Sequence, residues 1–164
     1  MGGLTFEDSI LVRARPEELF ALTQDYARRL EWDPFLKEAR LVGGAAEAGP
    51  GVRAWCVARA TGLGMETEYV SFRPPRVAAV KMTRGPWMIE SFAGSWRFAP
   101  EGEGTRVRFR YHVRARPRWL ARLLTPVLAR VFAHDVRKRL EGLKSAVEQE
   151  RVLERRSPSP VQRG

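Results

Sequence analysis

The chain has 164 residues, 44% of them apolar and 29% charged, which fits one globular domain with a substantial core. No apolar run approaches the ~20 residues that span a bilayer. The start, Met1-Gly-Gly-Leu, lacks the pattern of a secretory signal, and Phe6 stands where N-myristoylation needs Ser or Thr, so the expected location is cytoplasmic.

Residues 4–14 alternate, with Phe6, Ile10 and Val12 on one side and Thr5, Glu7, Ser9 and Arg13 on the other, as a half-buried strand does. Pro16 opens a short helix with Glu17 and Glu18 in its first turn, where carboxylates suit the helix dipole. A second helical turn is expected at 25–31, ended by Trp32-Asp33-Pro34. Six strands follow, at about 37–43, 51–60, 64–73, 76–84, 87–98 and 104–115. They are separated by Gly- and Pro-rich breaks short enough for hairpins, so the sheet is antiparallel. In the last strand Val107, Phe109, Tyr111 and Val113 face in, while Arg106, Arg108, Arg110, His112 and Arg114 face out. A one-residue slip would bury the basic set. Pro117 then starts a long helix to about residue 150. Its apolar stripe is Leu120, Leu124, Val127, Val131, Val136, Leu140, Leu143 and Val147, and a kink or break is expected at Pro126. These elements place one domain at 1–150, followed by a disordered basic tail at 151–164.

This order of elements resembles the START-like, or Bet v 1-like (SRPBCC), superfamily, and within it the polyketide cyclase/dehydrase branch. The likeness rests on Arg15-Pro-Glu-Glu-Leu-Phe after the first strand and on the segment Leu30-Glu-Trp-Asp-Pro-Phe-Leu-Lys-Glu-Ala-Arg-Leu-Val. It rests also on the hairpin Gly94-Ser-Trp-Arg-Phe-Ala-Pro-Glu-Gly-Glu-Gly-Thr-Arg-Val. The resemblance implies an α+β helix-grip fold: a curved seven-stranded antiparallel sheet wrapped around the C-terminal helix, with two short helices after strand 1. It also implies a cavity for a lipid, quinone, polyketide or aromatic molecule, held by a carrier or sensor. A minority of such proteins are cyclases or dehydratases.

The residues make their own case for a cavity. Val52, Ala54, Cys56 and Ala58 share one strand face, and Ala78, Val80 and Met82 share another, so small side chains stand opposite the long helix. Larger inward candidates are Phe92, Trp96, Phe98, Phe109 and Tyr111. Leu124, Val127, Leu128, Val131 and Phe132 close the far side. Polar candidates are few. Thr67, Tyr69 and Ser71 share a strand face. Glu90 either faces inward beside Phe92 and Trp96 or reaches solvent near Arg84, the setting its place at a strand start favours.

Much chemistry is missing. His112 and His134 have no metal-like partners, and no cofactor-binding motif is present, so neither metal nor cofactor is expected. Cys56 reads as a buried structural thiol that cannot form an internal disulfide. No nucleophile–base pair stands out, which weighs against an enzyme.

The net charge is +10, from 29 Lys+Arg against 19 Asp+Glu, and reflects either compositional bias or an anionic partner. Residues 114–139 form a basic amphipathic stretch in which Arg118, Trp119 and Arg122 could touch an anionic membrane. Arg137, Lys138 and Arg139 continue its basic side. Nucleic acid is a poorer partner, because the arginine stripe lacks interleaved aromatics.

Overall fold

The first and last strands form the seam on which the rest is built. The structure, a computed structural model, describes residues 3–154, without the side chains of Ala121, Leu124, Thr125 and Leu128. Strand β1 (Leu4–Val12) pairs antiparallel with β7 (Gly104–Ala115), with Leu4 opposite Val113 and Val12 opposite Thr105. This register buries Ile10, Val12, Val107, Phe109, Tyr111 and Val113 and leaves Arg108, Arg110, His112 and Arg114 exposed.

Between these strands the chain forms α1 (Pro16–Gln24) and α2 (Arg29–Trp32). It then forms β2 (Leu36–Val42), β3 (Arg53–Ala58), β4 (Gly64–Arg73), β5 (Val77–Arg84) and β6 (Ile89–Glu101). All seven strands make one antiparallel sheet in the order β1-β7-β6-β5-β4-β3-β2. The helix-grip α+β fold expected from the sequence is present. Register shifts in β2, β4, β5 and β6 mark β-bulges, which sharpen the bend of a sheet.

One bulge changes an orientation read from strict alternation. Val70 is the extra residue between Tyr69 and Ser71, so Phe72, not Ser71, joins Tyr69 on the inner face. There Phe72 meets the rings of Tyr69 and Phe20 edge-on, at 5.3 and 5.2 Å.

Helix α3 (Arg118–Glu148) is one continuous element with Pro126 inside it, so of the expected kink or break at this proline the break into two segments does not occur. Its C-terminal half supplies Val136, Leu140, Leu143, Ala146 and Val147 to the core. Polar ties hold this half to β1. Lys144 Nζ donates to the Leu11 carbonyl at 2.7 Å, and Glu148 accepts from the Arg13 amide at 2.8 Å. Beyond α3, a 3-10 turn at Val152–Glu154 buries Val152 against the core. Residues 155–164, the rest of the expected tail, lie outside the described residues. No described helix is long and apolar enough to cross a membrane.

Candidate ligand cavity

Small side chains on the middle strands hold the sheet wall away from α3. Cys56, Ala58, Ala78 and Gly94 leave open a space of about 1090 Å³ between sheet and helix. Gly94 adds no side chain of its own to this wall; a Cβ there would rest in ordinary contact, 3.4–3.5 Å from the rings of Phe92 and Tyr111. The inner end is aromatic. Trp96 stacks on Phe109 with centroids 4.1 Å apart, and Tyr111 meets Phe109 at 4.5 Å and Phe92 at 5.0 Å.

Of the side chains expected to contact a ligand, Cys56, Tyr69, Phe92, Trp96, Phe109, Tyr111 and Val131 line this space. Glu90 also borders it, but as the extra residue of the β6 bulge it is exposed at the rim. Two expectations need correction. Met82 does not line the cavity, because its side chain curls over Gly85 at the end of β5. Val127 does not line it either and is 61% exposed, because the apolar stripe of α3 outruns the sheet that should cover it. The side chains of Leu124 and Leu128 lie outside the described residues. Arg118, Trp119 and Arg122 are all exposed and border the cavity where it opens to solvent, together with Leu63, Leu123 and Val131.

The inner end holds a charged cluster that the strand and helix patterns did not single out. Asp33, at the end of α2, is fully covered. Its Oδ2 accepts from Arg29 Nε at 3.0 Å and from Arg139 Nη2 at 2.7 Å and Nε at 3.2 Å. Both guanidinium side chains are 6% exposed. Arg139 also donates to the Tyr111 hydroxyl and lies over the Phe109 ring, and Arg29 lies over the Trp32 ring. Burial would raise the Asp33 carboxyl, yet the two guanidiniums override it and hold the group below its ordinary range. Burial pushes the Arg139 guanidinium down, only partly offset by Asp33; burial also weighs against charged Arg29, but Asp33, joined by smaller contributions from Tyr26, Cys56 and Tyr69, reverses it and the group is pushed up. Both stay cationic at neutral pH.

Two signals could have revealed this cluster. Arg29 and Asp33 are four apart at a helix end. Arg139 falls with Phe132, Val136 and Leu143 on the inward 4-3-4 rhythm, not with exposed Arg137 and Lys138.

Beside the cluster is a neutral polar wall. The Tyr69 hydroxyl donates to Gln24 Oε1 at 2.6 Å and lies 3.3 Å from the Tyr26 hydroxyl. Burial pushes both phenols up and the Cys56 thiol likewise, so all three are neutral near pH 7.

Residues 4–148 match the family model described as polyketide cyclase / dehydrase and lipid transport. No curated protein is similar enough in sequence to count as a match. Among solved structures, a Thermus thermophilus protein is 23% identical with a TM-score of 0.72, covering 88% of this chain and 97% of its own. The di-domain aromatase/cyclase StfQ of the steffimycin biosynthetic pathway is 18% identical with a TM-score of 0.72; the match covers 92% of this chain and 52% of the longer one. The Zhui aromatase/cyclase from Streptomyces is 16% identical with a TM-score of 0.68, covering 91% of this chain and 98% of its own. At these identities the likeness establishes the fold.

Proposed function

Because the chain belongs to the polyketide cyclase/dehydrase and lipid transport family, we propose that it binds an apolar, ring-containing or lipid-like small molecule between its sheet and α3, as a carrier or sensor. The observation that carries this reading is the cavity itself. About 1090 Å³ of space with a mainly aromatic and aliphatic lining stays open in a domain whose other inward side chains pack tightly. Interiors otherwise leave few voids larger than a water molecule. Apolar concavities with a few fixed polar groups are how small-molecule sites are usually built.

The carrier form of this reading includes docking on an anionic bilayer. Trp119, Leu123 and Leu63 stand exposed at the opening, flanked by Arg118 and Arg122. Apolar side chains ringed by cations suit an interface where a lipid-like ligand would enter and leave.

A second reading, catalysis of a cyclisation or dehydration, is favoured by the aromatase/cyclase neighbours and by the Tyr26–Tyr69–Gln24 wall. Hydroxyls and a guanidinium fixed along a cavity could orient the carbonyls of a reactive chain and steer which bond closes.

Native mass spectrometry of the purified protein, followed by organic extraction, tests the binding reading. A stoichiometric small molecule is expected. An empty protein that gains no thermal stability from a panel of aromatic, quinone and lipid compounds would overturn it. For the catalytic reading, a poly-β-carbonyl substrate should give a different product distribution with wild-type protein than with Tyr69→Phe.

A further inference from the structure

The charge of the inner cluster is unbalanced. Two buried guanidiniums, Arg29 and Arg139, share one carboxylate, Asp33, which leaves one positive charge. The neighbouring phenols of Tyr26 and Tyr69 and the Cys56 thiol are neutral and do not cancel it. A buried charge without a partner is costly, and proteins normally pair it.

The donors are unequally used. Arg139 directs Nε and Nη2 at Asp33 and Nη1 at Tyr111. Arg29 uses Nε on Asp33 and Nη1 on the Thr23 carbonyl at 2.8 Å, while its Nη2 makes no hydrogen bond among the described residues. That nitrogen is not walled in. Trp32 Nε1 is the buried side-chain polar atom that is both fully covered and unpartnered among the described residues, whereas Arg29 borders the cavity. A desolvated cation therefore offers a spare donor to the cavity's inner end, with the Tyr26 hydroxyl nearby on the same lining.

Building on the cavity-binding reading above, we infer that the ligand is an amphipathic acid: an apolar or aromatic body carrying one carboxylate, enolate or phenolate oxygen that enters first and pairs with Arg29 at the inner end. The body then lies along Trp96, Phe109 and Phe92 toward the opening. One anion brings the cluster to neutrality, and its hydrogen bond from a guanidinium is of the strong, charge-assisted kind. A neutral ligand of the same shape would leave the positive charge unmatched. The arginines at the opening cannot supply the same discrimination, since Arg118 and Arg122 are solvated.

The test compares anthracene-2-carboxylate with anthracen-2-ylmethanol, nearly equal in shape and different in charge, by fluorescence titration. Three proteins are titrated: wild type, Arg29→Met and the double variant Arg118→Ala/Arg122→Ala. Wild type should bind the acid at least tenfold more tightly than the alcohol. Arg29→Met should bring the acid down to the alcohol's affinity and leave the alcohol unchanged. This variant retains the Asp33–Arg139 pair with no net charge, and a thermal melt checks that it folds. The opening variant should keep the wild-type preference. Equal binding of acid and alcohol by wild type overturns the anchor while sparing the cavity reading. So does a preference that survives Arg29→Met, or one that vanishes in the opening variant. Should Arg29→Met not fold, wild type and the opening variant still decide between anchor and surface. Binding of neither compound by wild type strikes at the cavity reading on which the anchor rests.

Discussion

Apolar side chains recur along both halves of α3, at 4-3-4 spacing in the C-terminal half and at every fourth residue from Trp119 to Val131 in the N-terminal half, and they meet opposite fates. In the C-terminal half, Val136, Leu140, Leu143 and Val147 are buried against β1, α2 and the sheet. In the N-terminal half, Trp119, Leu123, Val127 and Val131 are 50–71% exposed. The difference lies in what faces them. Opposite the first group stand large side chains such as Ile10, Val12 and Trp32. The second group lies at the cavity, whose lining there includes the small residues Ala58, Gly64 and, in the turn between them, Ala60. An amphipathic pattern thus specifies which side of a helix seeks cover, and the partner decides whether cover is found. One half is scaffold; the other borders the site.

The sharpest way to break this contrast is at the charged cluster where the scaffold half meets the cavity. Asp33→Asn removes the one carboxylate and leaves two buried guanidiniums unpaired, an effect of ~3–5 kcal/mol on unfolding free energy. Urea melts should show it at pH 7. The acid limb gives a second check. The folded-state carboxyl lies below its ordinary value near 3.8, so its stabilisation is fully present above that value and is lost as the pH falls through the lower folded value. The gap between wild type and Asp33→Asn should therefore narrow in strong acid. A gap constant with pH would show that the pairing is not electrostatic.

The next effect tests packing alone. Leu140 is fully buried, and Leu140→Ala should cost about 2–5 kcal/mol, transfer and cavity terms together. Gly142 is a smaller but more local probe. A Cβ there would lie 2.6 Å from the Trp32 carbonyl oxygen and 2.7 Å from Pro34 Cδ, so α3 reaches the α2–β2 turn only because this position has no side chain. Gly142→Ala should cost ~1–3 kcal/mol through overpacking, although alanine is the better helix former. A neutral or stabilising result would mean that the turn can retreat without disturbing Asp33.

How much of this was legible follows the same division. Seven strands, their inward faces and the long helix could be read, because strict alternation and helical spacing leave few competing registers: Val107 to Val113 admits one burial pattern. The aromatic end of the cavity was readable for the same reason. Strict alternation failed where a bulge intervened, turning Phe72 inward in place of Ser71. It could not show that Met82 curls over Gly85, beside the register shift at Thr83 near the end of β5. Arg139 escaped because two neighbouring cations, Arg137 and Lys138, made it look like part of a solvated face. Asp33 looked like a helix stop, because the proline after it explained its place without any tertiary partner.

The smallest effect on stability belongs to the uncovered half, where the largest effect on binding is expected. Trp119 and Leu123 are 66% and 71% exposed, so Trp119→Ser/Leu123→Ser should shift unfolding free energy by about 0.5 kcal/mol or less per site. If these side chains insert into a bilayer, each would transfer apolar area worth ~1.5–3 kcal/mol when fully buried. Half of that from the two together still exceeds the ~1.4 kcal/mol of a tenfold change. Co-sedimentation with vesicles containing phosphatidylserine should therefore fall at least tenfold in the double variant, with its melting temperature unchanged. Arg118→Ala/Arg122→Ala should lose the preference for anionic over neutral vesicles and leave the weaker apolar component. Equal sedimentation of wild type and the serine variant would mean that the bare stripe of α3 serves the cavity and not a membrane, and that the two halves of the helix differ in exposure without differing in partner.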